Sequence, residues 1–406
     1  MELKLQSEFG VLNGVIMHRP GFELEMLTPD NIGEFLFEDV PYLEQIQREH
    51  DEFRALVRLN TEAKVFRLEG LLQEVLKDEK LRLDAYRKAL AVKGYQHVAE
   101  DLLSRLSLAE ATTALTAGIR MKHLRRKYNP KSLQDLGDLD FLITPNPNSY
   151  FMRDPAAVIQ SGVISSHMKY PGRQRESDIM QLIFEHHPEF KNNYINAYPH
   201  DGSPETGCIE GGDVIVLSNK ALAIGNSERT DPKAIKAVAK HVIANSEVER
   251  VYEVHLPARR NFMHLDTVFT MIDENLVVTY PDAMDMNLTT YIYRQKGVDA
   301  NGEVILEEEV VNKSIIDLLK LEIPYLEVIG TAQGYPEYAS REQWYDGANV
   351  FAIGPRRVIA YDRNKYTNRA LIEAGVEVLE IRSSELSRGL GGPRCMTMPL
   401  ERQSLK

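Results

Sequence analysis

An α/β fold of repeated strand–turn–strand units, with a block of helices inserted among them, is predicted by three observations. Four stretches open on an acid or amide, at Asp154, Asp213, Asp266 and Asn349, and continue as two apolar runs around turn residues, the pattern of a β-hairpin. Segments with apolar residues three and four apart lie between these copies, which is helical spacing. Residues 70–139 are charge-rich, keep the same spacing and contain no β-branched run. Recurrence on this scale points to β/α units arranged around an axis.

The elements follow in order. Residues 13–18 form a short apolar strand closed by Arg19, Pro20 and Gly21. Residues 41–59 carry Tyr42, Leu43, Ile46, Phe53, Leu56 and Val57 among charges, so an amphipathic helix is expected there. A strand returns over 61–68. The charge-rich block reads as helices at 71–76, 81–90, 98–108 and 109–124. Hairpins are expected from Asp154, Asp213, Asp266 and Asn349, with helices at 175–186, 232–244 and 312–319. Cys395 opens a final strand, and the N-terminal strand completes a fifth unit with it and closes the ring. The expected organisation is a first part at 1–69, a helical insertion at 70–140 and the remainder at 141–406. At 406 residues the chain is longer than one core usually supports, which fits this division.

Composition narrows the function. Hydrophobic content of 43% and charged content of 27% are ordinary for a soluble enzyme. A net charge of −12 argues against nucleic acid as a partner, because a binder carries a basic face. The start of the chain lacks the basic and apolar regions of a secretory signal, and no apolar run reaches spanning length, so no membrane partner is expected. Two distant cysteines do not suggest a disulfide framework. A cytoplasmic, reducing location follows. A dimer or tetramer is the expected assembly, although no sequence feature specifies it.

Cys395 sits in a loop with Gly389, Gly391 and Gly392 just ahead of it. Glycine lets such a loop bend and lets a ligand approach the main chain. Free cysteines usually pack as small core residues, and this segment alone does not depart from that. Other segments reverse the reading. Glu210 and Asp213 flank a glycine pair at a strand entrance. His264 and Asp266 share one face if they lie on a strand. A thiolate supplies a nucleophile, and histidine moves protons near neutrality. Several carboxylates are more than a protease needs. Paired carboxylates suit a planar guanidinium through charged, bidentate hydrogen bonds, and a bound cation also favours the thiolate.

With these residues in view the chain resembles the arginine deiminase family. The segments that carry the resemblance are Phe151-Met-Arg-Asp-Pro, Ile209-Glu-Gly-Gly-Asp, Phe262-Met-His-Leu-Asp-Thr-Val-Phe, Gly391-Gly-Pro-Arg-Cys-Met-Thr-Met-Pro and the N-terminal Met17-His-Arg-Pro-Gly. The motifs keep the family's order over essentially the whole chain. The resemblance implies a five-unit β/α propeller with an inserted helical domain, and hydrolysis of L-arginine to L-citrulline and ammonia without metal or organic cofactor. It implies Cys395 as nucleophile, His264 as general acid and base with Glu210 beside it, and Asp154 and Asp266 on the guanidinium. Asn148, Phe151, Arg173, Asp213, Arg229 and Gly389 are implied to hold the rest of the substrate, with Asn148, Arg173 and Arg229 at its amino-acid end. One departure stands out: many members have arginine where this chain has Leu390. Arg388 and Arg394 are the candidates to replace it.

Other readings share parts of the pattern. Agmatine deiminase, dimethylargininase and amidinotransferases use a cysteine, a histidine and acids on related guanidines. A metal-dependent hydrolase would use Glu210, Asp213, His264 and Asp266 as ligands. A homologue that binds arginine without turnover is the non-enzymatic alternative.

Overall fold

The computed structural model describes residues 1–404, apart from residues 201, 204, 258, 286–288 and 324. Its strands form several small sheets with helices between them, so the fold is mixed α/β. Among the described residues one pairing pattern occurs five times: two antiparallel strands, then a segment parallel to the second. Met398–Arg402 pairs with Leu12–Met17, which pairs with Lys64–Arg67. Ala156–Ile159 pairs with Gly162–Ser165, and a single parallel bridge joins Val163 to Asn196. Val214–Ser218, Ala221–Asn226 and Arg250–His255 follow. Phe269–Asp273, Leu276–Thr279 and Glu327–Gly330 come next, then Phe351–Gly354, Arg357–Tyr361 and Glu377–Ile381.

The pattern has a geometric cause. A parallel neighbour requires a crossover long enough for a helix. The crossovers carry Leu43–Asn60, Gln174–His186, Pro232–Asn245, Ile315–Glu322 and Lys365–Glu373. Each turns an apolar stripe inward. Ile235, Val238, Ala239 and Val242 of Pro232–Asn245, for example, are all buried. The inserted helices do not keep a core of their own. Leu72, Leu90, Leu102 and Leu115 join one apolar cluster with Val158, Ile183 and Val238. Among the described residues no helix is long and apolar enough to cross a membrane.

Four local expectations are corrected. The helix expected over 98–108 is interrupted, because Ser107 caps a new one: its hydroxyl accepts the Glu110 N–H and Glu110 reaches back to the Ser107 N–H, a capping box. That new helix, Leu108–Ala117, stops well short of residue 124. Gly118 follows at φ +74°, where a Cβ would lie 2.6 Å from the Ile143 carbonyl oxygen, and Ile119–Arg120 then pairs with Phe141–Ile143. A hairpin of Thr290–Val298 and Val304–Val311, not anticipated in the sequence, extends the sheet of Arg250–His255. The last strand begins at Met398, not at Cys395. Residues 393–396 form a turn instead, in which the Thr397 N–H donates to the Arg394 carbonyl.

Candidate active site

The hairpin openers meet through a closed chain of hydrogen bonds. The Gly211 N–H donates to the Asp154 carbonyl at 3.0 Å. The Leu265 N–H donates to Asp213 Oδ1 at 2.8 Å. Asn349 Nδ2 donates to the Asp266 carbonyl at 3.0 Å. The Cys395 N–H donates to Asn349 Oδ1 at 3.0 Å, and the Arg153 N–H donates to the Cys395 carbonyl at 2.9 Å. This brings residues from five distant parts of the sequence to one place.

Cys395 is buried beside a narrow cavity of about 20 Å³, enough for about one water. Asn148, Phe151, Asp154, Arg173, Arg229, His264 and Gly389 line the same cavity. So do Leu36, Arg260, Met263, Thr267 and Leu390, which the sequence reading did not assign as site residues. Leu390 was marked only as a departure from the family's arginine, and nothing in the type or spacing of the other four marks them. They arrive there because three separate loops converge.

His264 is fixed from two sides. Its Nε2 is 2.9 Å from Glu210 Oε2 and its Nδ1 is 3.8 Å from Asp154 Oδ1. The turn that follows it is a 3-10 turn, Leu265–Thr267, so the strand periodicity expected to put His264 and Asp266 on one face does not apply. Gly212 makes room for the ring, since a Cβ there would lie 2.5 Å from His264 Nδ1. Burial opposes charge on His264, but Asp154, the Glu210 hydrogen bond and Asp213 outweigh it and raise its pKa to about 9. Burial likewise opposes charge on Glu210, yet Arg229, His264 and Arg173 bring it down to about 2. The pair is therefore an imidazolium and a carboxylate at neutral pH.

The two aspartates share a design. Asp154 Oδ2 takes Arg173 Nη1 at 2.9 Å, while Oδ1 is buried without a hydrogen-bond partner. Asp266 Oδ2 takes Arg394 Nη1 at 2.6 Å and the Cys395 thiol at 3.6 Å, while Oδ1 is again buried and unpartnered. Burial, then Asp266, Asp154 and Asp346, push the Cys395 thiol well above its ordinary value. Asp346 is itself raised to about 8 by burial and by Asp266.

Asp213 does not line the cavity. Its Oδ1 holds the Leu265 N–H and its Oδ2 accepts the Ser227 hydroxyl at 2.7 Å, so it braces the turn after His264. Arg173 is bracketed by Asp154, by Glu176 at 2.8 Å and by Glu210 at 3.8 Å. Arg229 is freer: Nη1 meets Glu210 at 3.3 Å, the guanidinium lies 4.6 Å from the Tyr170 ring, and Nε has no hydrogen bond. Asn148 Nδ2 donates to the Phe35 carbonyl at 2.8 Å. Leu390 adopts φ +56°, a left-handed conformation that costs a β-carbon residue about 1–2 kcal/mol. Arg388 is turned to the surface, paired with Asp39 and, at 3.0 Å, with Glu385.

Asp154, Glu210 and His264 offer ligand atoms within 4.8 Å of one another, close enough to hold a metal ion. Arg173 and Arg229 lie directly against those carboxylates, and their fixed positive charge opposes a divalent ion there. The arrangement suits proton transfer and guanidinium binding better.

The arginine deiminase family profile matches residues 33–402. The arginine deiminase of Limosilactobacillus reuteri is 38% identical over 414 residues, covering 100% of this chain and 99% of that protein. Among solved structures, AgrE in complex with ornithine and NAD+ matches 97% of this chain with a TM-score of 0.56 at 14% identity; the chain spans 40% of AgrE. The N-terminal domain of an ArgZ variant, covalently bound to a reaction intermediate, matches 97% of this chain and 99% of its own length, with a TM-score of 0.55 at 14% identity. The structural likeness establishes the fold, and the sequence matches establish the lineage: the chain belongs to the arginine deiminase family.

Proposed function

We propose that this protein hydrolyses L-arginine to L-citrulline and ammonia through a covalent amidino-cysteine intermediate. The observation that carries the reading is that Asp154 and Asp266 each keep one buried oxygen without a hydrogen bond, Asp154 on the cavity that Cys395 lines and Asp266 with its other oxygen on the Cys395 thiol. An unsatisfied buried carboxylate oxygen is costly, and a guanidinium supplies the donors for both. Its positive charge also offsets the carboxylates that hold the thiol protonated, so substrate binding favours the thiolate. Cys395 Sγ then attacks the guanidinium carbon. The His264 imidazolium gives its proton to the departing nitrogen, and ammonia leaves. Neutral His264 takes a proton from water, whose oxygen adds to the same carbon. The C–S bond breaks as the added hydroxyl gives up its remaining proton to solvent, where it ends on the released ammonia; citrulline departs and the thiolate returns. Glu210 keeps the imidazole oriented throughout.

Arg229, whose Nε makes no hydrogen bond and lies 3.7 Å from Glu228, receives the substrate carboxylate together with Arg173 and Asn148, and Phe151 and Gly389 line the approach. Asp213 acts on the substrate only through the turn it braces. The hydrogen-bond chain through the four openers and Cys395 supports a five-unit β/α propeller, and the run of helices between Lys64–Arg67 and Phe141–Ile143 supports an insertion at 70–140 between 1–69 and 141–406, although it shares its core with the rest. Two unpaired cysteines, one of them proposed to act as a free thiol, support a reducing, cytoplasmic setting. A homo-oligomer is retained as a proposal. The test is incubation of purified protein with L-arginine: citrulline and ammonia should form in equal amounts. Product release without a mass increment on the Cys395 peptide in trapped turnover would rule out the covalent route.

A further inference from the structure

Behind the thiol lies a buried charge cluster that the reaction sequence above does not use. Arg394, the residue before Cys395, is 1% exposed. Its guanidinium spans Glu8 through two contacts of 3.2 Å, the Val214 carbonyl at 2.9 Å and Asp266 Oδ2 at 2.6 Å. Glu8 also accepts the Val216 N–H at 3.2 Å, which ties it to a strand. Arg153 lies 4.0 Å from Glu8, and two of its guanidinium nitrogens have no hydrogen-bond partner. Arg402 is buried nearby, among the charges that act on Glu8. Three buried guanidiniums thus surround one glutamate. Such an excess of charge is unfavourable in an interior unless further anions share it. The anions next to it are Asp266 and, once formed, the Cys395 thiolate.

Arg394 does not replace the arginine that many family members carry at position 390. Four hydrogen bonds inside a closed frame leave it no path to the cavity. We propose instead that Arg394, clamped by Glu8, is a positioning residue: it turns Asp266 so that Oδ1 faces the substrate, and it favours ionisation of Cys395. The second half of the proposal rests on Cys395 being the nucleophile. The groups acting on the thiol are Asp154, Asp266 and Asp346, which oppose its ionisation. Arg394 and Arg153 favour it. The phenols of Tyr150 and Tyr361 stay neutral, both held well above their ordinary value by burial. His264 lines the same cavity. Burial and the three carboxylates hold the thiol up, and Arg394, which shares Asp266 Oδ2 with it, acts against them together with Arg153.

The test is the pH dependence of iodoacetamide alkylation at Cys395 in arginine-free protein, read by peptide mass in a Cys208→Ser background. Arg394→Gln removes a positive charge and should move the midpoint up by about one pH unit, a roughly tenfold slower reaction at a fixed lower pH. Arg394→Lys keeps the charge and should stay within about threefold of the parent. Glu8→Gln removes the negative partner and should speed alkylation. A purely structural role of the ion pair would move the Arg394→Gln and Glu8→Gln midpoints the same way or leave both in place, and either result overturns the proposal. If Arg394→Gln does not fold, slower or unchanged alkylation of Glu8→Gln overturns it alone; if Glu8→Gln does not fold, an unmoved midpoint in Arg394→Gln does. Alkylation is read without arginine. An inactive protein showing the opposite shifts keeps this inference and removes the turnover reading, and an active one lacking them does the reverse.

Discussion

Asp154 and Asp266 each commit one oxygen to a resident arginine and leave the other bare. In the proposed reaction that division sets where the positive end of the substrate would sit, and the Cys395 thiol lies 3.6 Å from Asp266 Oδ2. Cys208 has no such setting: it is half-buried, its N–H is held by Asp231, and burial and Asp231 raise its thiol. Cys395→Ser should therefore abolish citrulline formation while Cys208→Ser keeps most of it, as a turnover assay of the two variants would read. At the other end of the substrate, agmatine has the guanidinium but no carboxylate. It would leave Arg229 buried without an added partner, a loss of about 2–5 kcal/mol, or roughly 30- to 5,000-fold. The protein should prefer L-arginine by at least about the lower figure in kcat/KM, and Arg229→Ala should erode that preference by weakening arginine. Equal kcat/KM for both compounds in the unmodified protein would return agmatine to first place. That Cys395, His264, Glu210, Asp154 and Asp266 would gather in one place was legible because few residue types could serve as nucleophile, proton carrier and cation grip. Asp213 was assigned to the substrate because a bracing carboxylate and a binding one look alike in a sequence. The pairing of Arg394 with Glu8 was invisible, since only the fold brings the two together.

Among the elements, the loop of residues 386–391 meets the wall of the cavity at close range. A Cβ on Gly391 would lie 2.2 Å from the Phe151 ring. Phe151 cannot recede, because it is buried and its ring centroid is 4.0 Å from that of Tyr150. Gly391→Ala should thus shift the loop at a cost of about 1–3 kcal/mol, seen as a raised KM for arginine and a lower melting temperature. An unchanged KM and melting temperature would mean that this wall is soft. Most strands and crossover helices were readable: the helices bury one face and keep their period, and strands such as Ala156–Ile159 and Phe351–Gly354, buried on both faces, read as short apolar runs between turns. The hairpin Thr290–Val311 was not. Glu307, Glu308 and Glu309 are exposed in succession, so Val304–Val311 buries no alternating face to leave a signal. The cysteine turn reads as strand because the apolar alternation of Cys395, Met396 and Thr397 runs on into Met398–Arg402.

For the molecule as a whole, the two ends of the sequence form one sheet. Val15 faces Pro399, the Lys4 N–H donates to the Leu400 carbonyl at 2.9 Å, and Leu5 bridges to Gln160. Leu3, Leu5 and Phe9 are each 1% exposed. Losing one large buried side chain costs about 2–5 kcal/mol, against a total stability of about 5–15 kcal/mol. Deleting residues 1–10 should leave a chain without a cooperative melting transition by circular dichroism. A truncated protein that melts close to the parent would contradict the sheet's role. The five-fold recurrence was visible in the sequence. The shared core of the inserted helices was not, since which surfaces meet is a property of packing rather than of pattern.

That meeting of distant strands also sets an order of events during synthesis. Leu12–Met17 leaves the ribosome long before Met398–Arg402 exists, and one of its edges stays open meanwhile. An open strand edge is adhesive, and a wait of this length invites chaperones. A chain that stops before residue 395 has neither the thiol nor the strand that covers this edge. Premature termination therefore yields sticky, inert fragments and no partial enzyme, and proteolytic clearance is their expected fate.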